Sequence, residues 1–124
     1  MARYVILRHE TPPGYPRPTH WDLLLETGPC LRAWAMAEEP QADREIAAKS
    51  LPDHRLAYLD YEGPVSGDRG AVSQWDAGTV QWQQVSDETV EAKLDGHRLC
   101  GVVRLTRAAG TPLTWTFLFR CATR

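Results

Sequence analysis

Turn-forming groups cut this chain into short pieces: Gly28-Pro29, Gly63-Pro64, Ser66-Gly67-Asp68, Asp76-Ala77-Gly78, Asp95-Gly96 and Gly110-Thr111-Pro112. Glycine supplies positive φ and proline fixes φ, so each group interrupts regular structure. The pieces between them carry strand character. Tyr4-Val5-Ile6-Leu7 is a short, β-branched apolar run that reads as a buried strand. Residues His20 to Glu26 and Leu31 to Met36 flank Gly28-Pro29 as the arms of a hairpin. Val80-Gln81-Trp82 and Thr89 to Leu94 alternate at strand period, and Leu113 to Phe119 is a strong terminal strand. Only Gln41 to Ser50, with alanine and glutamate between Pro40 and Pro52, predicts a helix. Strands at this spacing suggest a barrel or a sandwich.

With 124 residues, one domain spanning residues 1–124 is expected, and it can bury a core without staples. An apolar share of 43% is globular rather than disordered. No apolar run is long enough to span a membrane, and the N-terminus lacks the layout of a signal peptide. Cys30, Cys100 and Cys121 are odd in number and lack metal-site spacing, so they read as reduced, mostly buried thiols in a cytoplasmic protein. A net charge of −2 argues against extensive duplex binding but not against a local grip on one strand end. The five tryptophans fall in strand segments and read as core; His97, after Asp95-Gly96, reads as exposed in a hairpin turn.

His20-Trp21-Asp22 is a His-x-Asp triplet on a predicted strand, so imidazole and carboxylate project from one face. His9 ends the preceding strand, just before a loop with four prolines, Pro12, Pro13, Pro16 and Pro18. If the strands are neighbours, His9 reaches the same pocket. Two imidazoles and a carboxylate suit zinc, manganese or iron and leave positions open for water and substrate. The alternative on spacing alone is a hydrogen-bonded structural histidine. His54 and Tyr58 share a face only if the chain between them is extended or helical; the plainer reading is a helix end followed by an amphipathic strand. Gly67-Asp68-Arg69-Gly70 reads as a tight β-turn rather than a phosphate-cradling loop.

Taken in order, these motifs resemble those of the 3′-phosphoesterase domain of bacterial ATP-dependent DNA ligase D and its stand-alone relatives. The resemblance rests on His9, on His20 to Glu26, on Leu31 to Met36 and on Asp53 to Gly63. It continues through Gly67-Asp68-Arg69-Gly70, Trp75 to Thr79, Leu94 to Gly101 and Trp115 to Leu118. It implies a mainly β protein, one small antiparallel β-barrel of about eight strands, here with the one short helix. It implies His9, His20 and Asp22 as metal ligands, with Mn2+ the expected cofactor and Zn2+ the alternative. It further implies His54 and Tyr58 as catalytic residues beside the scissile phosphate. The expected activity is healing of nucleic-acid 3′ ends in DNA repair, by removal of a 3′-phosphate or a 3′-terminal ribonucleotide. The expected partners are 3′ ends of DNA or DNA–RNA strands, with a DNA ligase or polymerase as protein partner.

Three positions depart from the family pattern. Leu24 stands where the family has an arginine, the acidic stretch around Glu38 replaces a lysine, and Ile46 falls near another family arginine. Arg44 and Lys49 lie close to that third position but out of register, and the longer proline-rich loop offers Arg17 as a further substrate-binding candidate. The departures leave two alternatives open: a metal-binding barrel that grips a phosphorylated end or a partner protein without hydrolysis, and a phosphoesterase for a small substrate that is not a nucleic acid.

Overall fold

The structure, a computed structural model, describes residues 1–122. Its strands are β1 (Arg3–Glu10), β2 (His20–Thr27), β3 (Cys30–Met36), β4 (Ile46–Arg55), β5 (Gly63–Pro64), β6 (Ala71–Val85), β7 (Thr89–Gly96), β8 (Cys100–Arg107) and β9 (Thr114–Cys121). They form one sheet in the order β1-β2-β3-β4-β9-β8-β7-β6-β5. Pairing of β1 with β6 closes it into an antiparallel barrel of eight strands, with the two-residue β5 on its flank. Among the described residues no helix is long and apolar enough to cross a membrane.

The barrel interior is filled by one side of every long strand: Tyr4 and Ile6, Leu23 and Leu25, Trp34 and Met36, Ile46, Val80, Val90, Val103, Phe117 and Phe119. The strands β7 and β8 alternate buried and exposed residues, as a sheet with one wet face requires. The strands β1, β2 and β3 differ, because Val5, Leu7, Leu24, Leu31 and Ala33 form a second core on the outer side of the barrel wall. Leu59, from a one-turn 3₁₀ segment (Leu56–Leu59), and Val72 cover that patch. Both faces of these strands are thus buried, which explains the uninterrupted apolar runs in their sequences.

The predicted helix over Gln41–Ser50 is not formed. From Ile46 onward the chain is β4, pairing with β3 and β9. Alanine and glutamate favour a helix locally, but Ile46 and Ala48 alternate with exposed Ala47 and Lys49, and the paired strand buries that face. Among the described residues the only helical piece is the 3₁₀ turn after β4. Asp76-Ala77-Gly78, read as a turn, lies inside the fifteen-residue β6, where the strand passes from β1 to β7. A Cβ at Gly78 would stand 2.1 Å from the Asp95 carbonyl oxygen, so glycine serves close packing there. Asp76 is buried and accepts hydrogen bonds from Tyr4 Oη at 2.5 Å, Arg98 N at 2.8 Å and Leu99 N at 3.0 Å, tying β6 to β1 and to the β7–β8 turn. Burial and this carboxylate push the Tyr4 hydroxyl's pKa well up.

Gly63-Pro64 is the short β5 rather than a turn. The hairpin over residues 20–36 is formed as read. All three cysteines are free, but Cys30 and Cys100 are half-buried and Cys121 is exposed, because each lies at a strand end. Trp34 and Trp115 are core residues, Trp21, Trp75 and Trp82 are partly buried against it, and His97 is exposed.

Candidate metal centre

In the β1–β2 ladder His9 faces His20 and Leu7 faces Asp22. Strand alternation places all three polar residues on the outer side of the barrel wall, in line with Val5, Leu7 and Leu24 of the second core. One ligand atom from each of His9, His20 and Asp22 lies within 4.8 Å of the others. The imidazole rings are 4.6 Å apart between centroids. His20 and Asp22 are each only 6% exposed, so the cluster is largely shielded from bulk water.

Backbone carbonyls fix how these rings present themselves. His9 Nε2 lies 2.7 Å from the Arg69 carbonyl oxygen, and His20 Nδ1 lies 2.9 Å from that of Pro18. A carbonyl only accepts, so each of these nitrogens carries the proton and the other ring nitrogen keeps its lone pair. The two lone pairs, on His9 Nδ1 and His20 Nε2, turn toward Asp22, at 3.7 Å from Oδ2 and 3.3 Å from Oδ1. The Asp22 Oδ1 atom is buried without a hydrogen-bond partner. The His20 Nε2 lone pair faces that orphaned oxygen and the His9 Nδ1 lone pair faces Oδ2, an arrangement of acceptors that a cation or proton between them relieves. The carbonyl contacts are the outer-shell partners that orient metal-binding histidines, so the donor set fits a divalent cation. Asp22 holds the His9 pKa above its ordinary value, whereas burial pulls that of His20 down.

The Arg69 carbonyl reaches His9 because the 66–70 turn packs directly on β1. Gly70, at φ +93, passes so close that a Cβ would stand 1.9 Å from the Glu10 carbonyl oxygen.

The cluster forms one wall of a cleft of about 380 Å³. Its opposite wall is the end of β4 and the 3₁₀ turn, which contribute His54, Arg55 and Tyr58. The His54 and Tyr58 rings meet edge to face at 5.4 Å, because the 3₁₀ turn supplies the helical geometry on which their sharing a face depended. His54 Nδ1 donates to the Pro52 carbonyl at 2.9 Å, leaving Nε2 free. Arg17 lines the cleft, as do Arg55 and Arg69. These two were not singled out from sequence, although Arg69 sits in the Gly67-Asp68-Arg69-Gly70 turn and Arg55 follows His54. With Arg17 they set three guanidinium groups against Asp22 and Asp53 around the cleft, a balance suited to an anion.

Arg44 and Lys49 do not line this cleft. The segment before β4 is pinned to β9, with Asp43 N bonded to the Phe119 carbonyl, and Arg44 pairs with Glu38 at 2.5 Å on the surface. Lys49 borders a neighbouring depression of about 260 Å³ that shares Arg17 and His20 with the cleft. Leu24 and Ile46 are fully buried apolar residues, in the second core and the barrel interior respectively.

Fold and cluster together define a small closed β-barrel with a His-His-Asp centre in a cationic cleft outside its wall. The chain belongs to the DNA ligase D 3′-phosphoesterase domain family, whose model matches residues 9–107. That match begins at the first residue of the cluster and includes every residue of the cleft except Leu7. None of the curated proteins compared with the chain matches it.

Proposed function

We propose that this protein is a metal-dependent phosphoesterase of the cytoplasm that heals nucleic-acid 3′ ends, removing a 3′-phosphate or a 3′-terminal ribonucleotide. The observation that carries the reading is the Asp22 carboxylate, with Oδ1 orphaned beside His20 Nε2 and Oδ2 turned to His9 Nδ1, at the wall of a cleft lined by arginine. Family membership supplies the reaction class.

His9 Nδ1, His20 Nε2 and Asp22 would hold the cation, with manganese as our assignment and zinc as the alternative a nitrogen-rich donor set also admits. Bound there, a divalent cation supplies charge neutralisation for a phosphate and a water of lowered pKa. The chain's own groups do the rest. Arg55 and Arg69 line the cleft as donors to phosphate oxygens, which a planar guanidinium can engage two at a time. His54 Nε2, free because Nδ1 is committed to Pro52, hydrogen-bonds a phosphate oxygen or moves a proton to the leaving oxygen. The Tyr58 hydroxyl donates a further hydrogen bond to the phosphate. Strand ends are the substrates, consistent with an open cleft and a net charge of −2, and a DNA ligase or polymerase that uses the healed end is the proposed partner.

Leu24 and Ile46 favour a second reading. Both are buried and apolar where phosphate-gripping cations would be expected, which suits a barrel that binds phosphorylated ends without turnover. One experiment separates the two: a primer–template ending in a 3′-phosphate or 3′-ribonucleotide, incubated with manganese and with wild type, His20→Ala, Asp22→Ala or His54→Ala. We expect product from wild type, and none from the first two variants. Metal-loaded wild type that binds the end and leaves it intact would establish the second reading instead.

A further inference from the structure

A guanidinium rests on the ring nitrogen that a cation needs. Arg17 Nη2 lies 3.3 Å from His20 Nε2. Arginine carries only donors, and the His20 proton is on Nδ1, so Arg17 donates to the Nε2 lone pair. Arg17 comes from the loop between β1 and β2, where Pro16 and Pro18 flank it and restrict the backbone. The residue is exposed, and among the described residues no carboxylate pairs with it. It borders both the cleft and the neighbouring depression, so its side chain can leave Nε2 while the loop stays in place.

We propose that Arg17 is a displaceable cation: it caps His20 Nε2 in the metal-free chain, and on metal binding it moves off to grip an oxygen of a phosphate bound in the same cleft. One lone pair cannot serve a guanidinium and a metal together, and two positive groups at that distance repel. A phosphate in the cleft removes the repulsion by standing between them, so metal and phosphate favour the same displaced position of Arg17. The proposal rests on reading His9, His20 and Asp22 as cation ligands.

The test is calorimetry on the full chain, titrating Mn2+ alone and then inorganic phosphate into the Mn2+-loaded protein, for wild type, Arg17→Ala and Arg17→Lys. Removing the cap should tighten Mn2+ binding in Arg17→Ala by about fivefold, the net worth of one hydrogen bond. Phosphate binding to the loaded variant should weaken by about tenfold, the loss of one charge-assisted contact. Arg17→Lys keeps the charge without the fork and should fall between wild type and Arg17→Ala for phosphate. A merely structural role for Arg17 would weaken both affinities or neither, and either result overturns the proposal. So would Arg17→Ala binding Mn2+ more tightly with phosphate affinity unchanged. Should wild type bind no Mn2+, the metal centre itself is refuted and the proposal with it. Opposite shifts in a protein that never turns over a 3′ end would sustain the proposal and refute only the catalytic reading.

Discussion

Replacing Asp22 by asparagine separates what the metal needs from what the fold needs. Asp22 Oδ1 is buried with no hydrogen-bond partner in the protein, and a buried acceptor left unsatisfied costs about 1–3 kcal/mol. In Asp22→Asn the amide nitrogen can stand where a carboxylate oxygen now lies, 3.3 Å from His20 Nε2, a nitrogen that accepts because its proton is on Nδ1. Arg17 competes for that lone pair, so the expected net gain in stability is about 1 kcal/mol. Pairing of Asp22 with protonated His9 opposes the gain. Asp22 raises the His9 pKa, so this pairing stabilises the native state at low pH and is lost as pH rises through the raised value. The advantage of Asp22→Asn is therefore larger at about pH 9 than at about pH 6. Metal affinity moves the other way. Losing the only carboxylate of the cluster should cost more than about 10²-fold, beyond what outer-shell substitutions typically cost. Urea unfolding in the presence of chelator measures the first effect, and calorimetric titration with Mn2+ the second. Metal-free Asp22→Asn unfolding at lower urea than wild type at alkaline pH would make Asp22 a structural residue and refute the reasoning.

Three further outcomes are expected. Because Asp22 holds the His9 proton on and a metal must displace it, Mn2+ affinity should rise with pH through the His9 titration, and calorimetry in buffers of different ionisation enthalpy should detect proton release. His54→Ala and Tyr58→Phe should each lower turnover of a 3′-phosphorylated primer by roughly 10²-fold with Mn2+ affinity unchanged, checked by single-turnover kinetics beside the titration. Asp76→Ala strands the Tyr4 hydroxyl and the Arg98 and Leu99 amides, and should destabilise the barrel by about 3–5 kcal/mol in urea unfolding.

Period and turn chemistry were enough to read the β character, the hairpin over residues 20–36 and the shared face of His20 and Asp22, because all three depend on residues close in sequence. That His9 reaches the same pocket depended on β1 and β2 being neighbours, and the register that sets it opposite His20 meets that condition. Composition misled at Gln41–Ser50, where local helix preference lost to burial of Ile46 and Ala48 against β3 and β9. Asp76-Ala77-Gly78 carries turn chemistry yet serves a strand crossing between two partners, a need that arises only in the closed barrel. The second core outside the wall was also hidden, since a continuous apolar run does not say what covers it. So was the Arg69 carbonyl that sets the His9 tautomer, a contact across 60 residues made possible by the close approach at Gly70.

The metal centre is tested most directly by the crystal structure of the protein soaked in Mn2+, with the ion located from its anomalous scattering. A peak bound by His9 Nδ1, His20 Nε2 and Asp22, with the carbonyls of Arg69 and Pro18 still on the other ring nitrogens, is the expected result. A cation bound elsewhere, or one that takes His9 Nε2 and breaks the Arg69 contact, would contradict it.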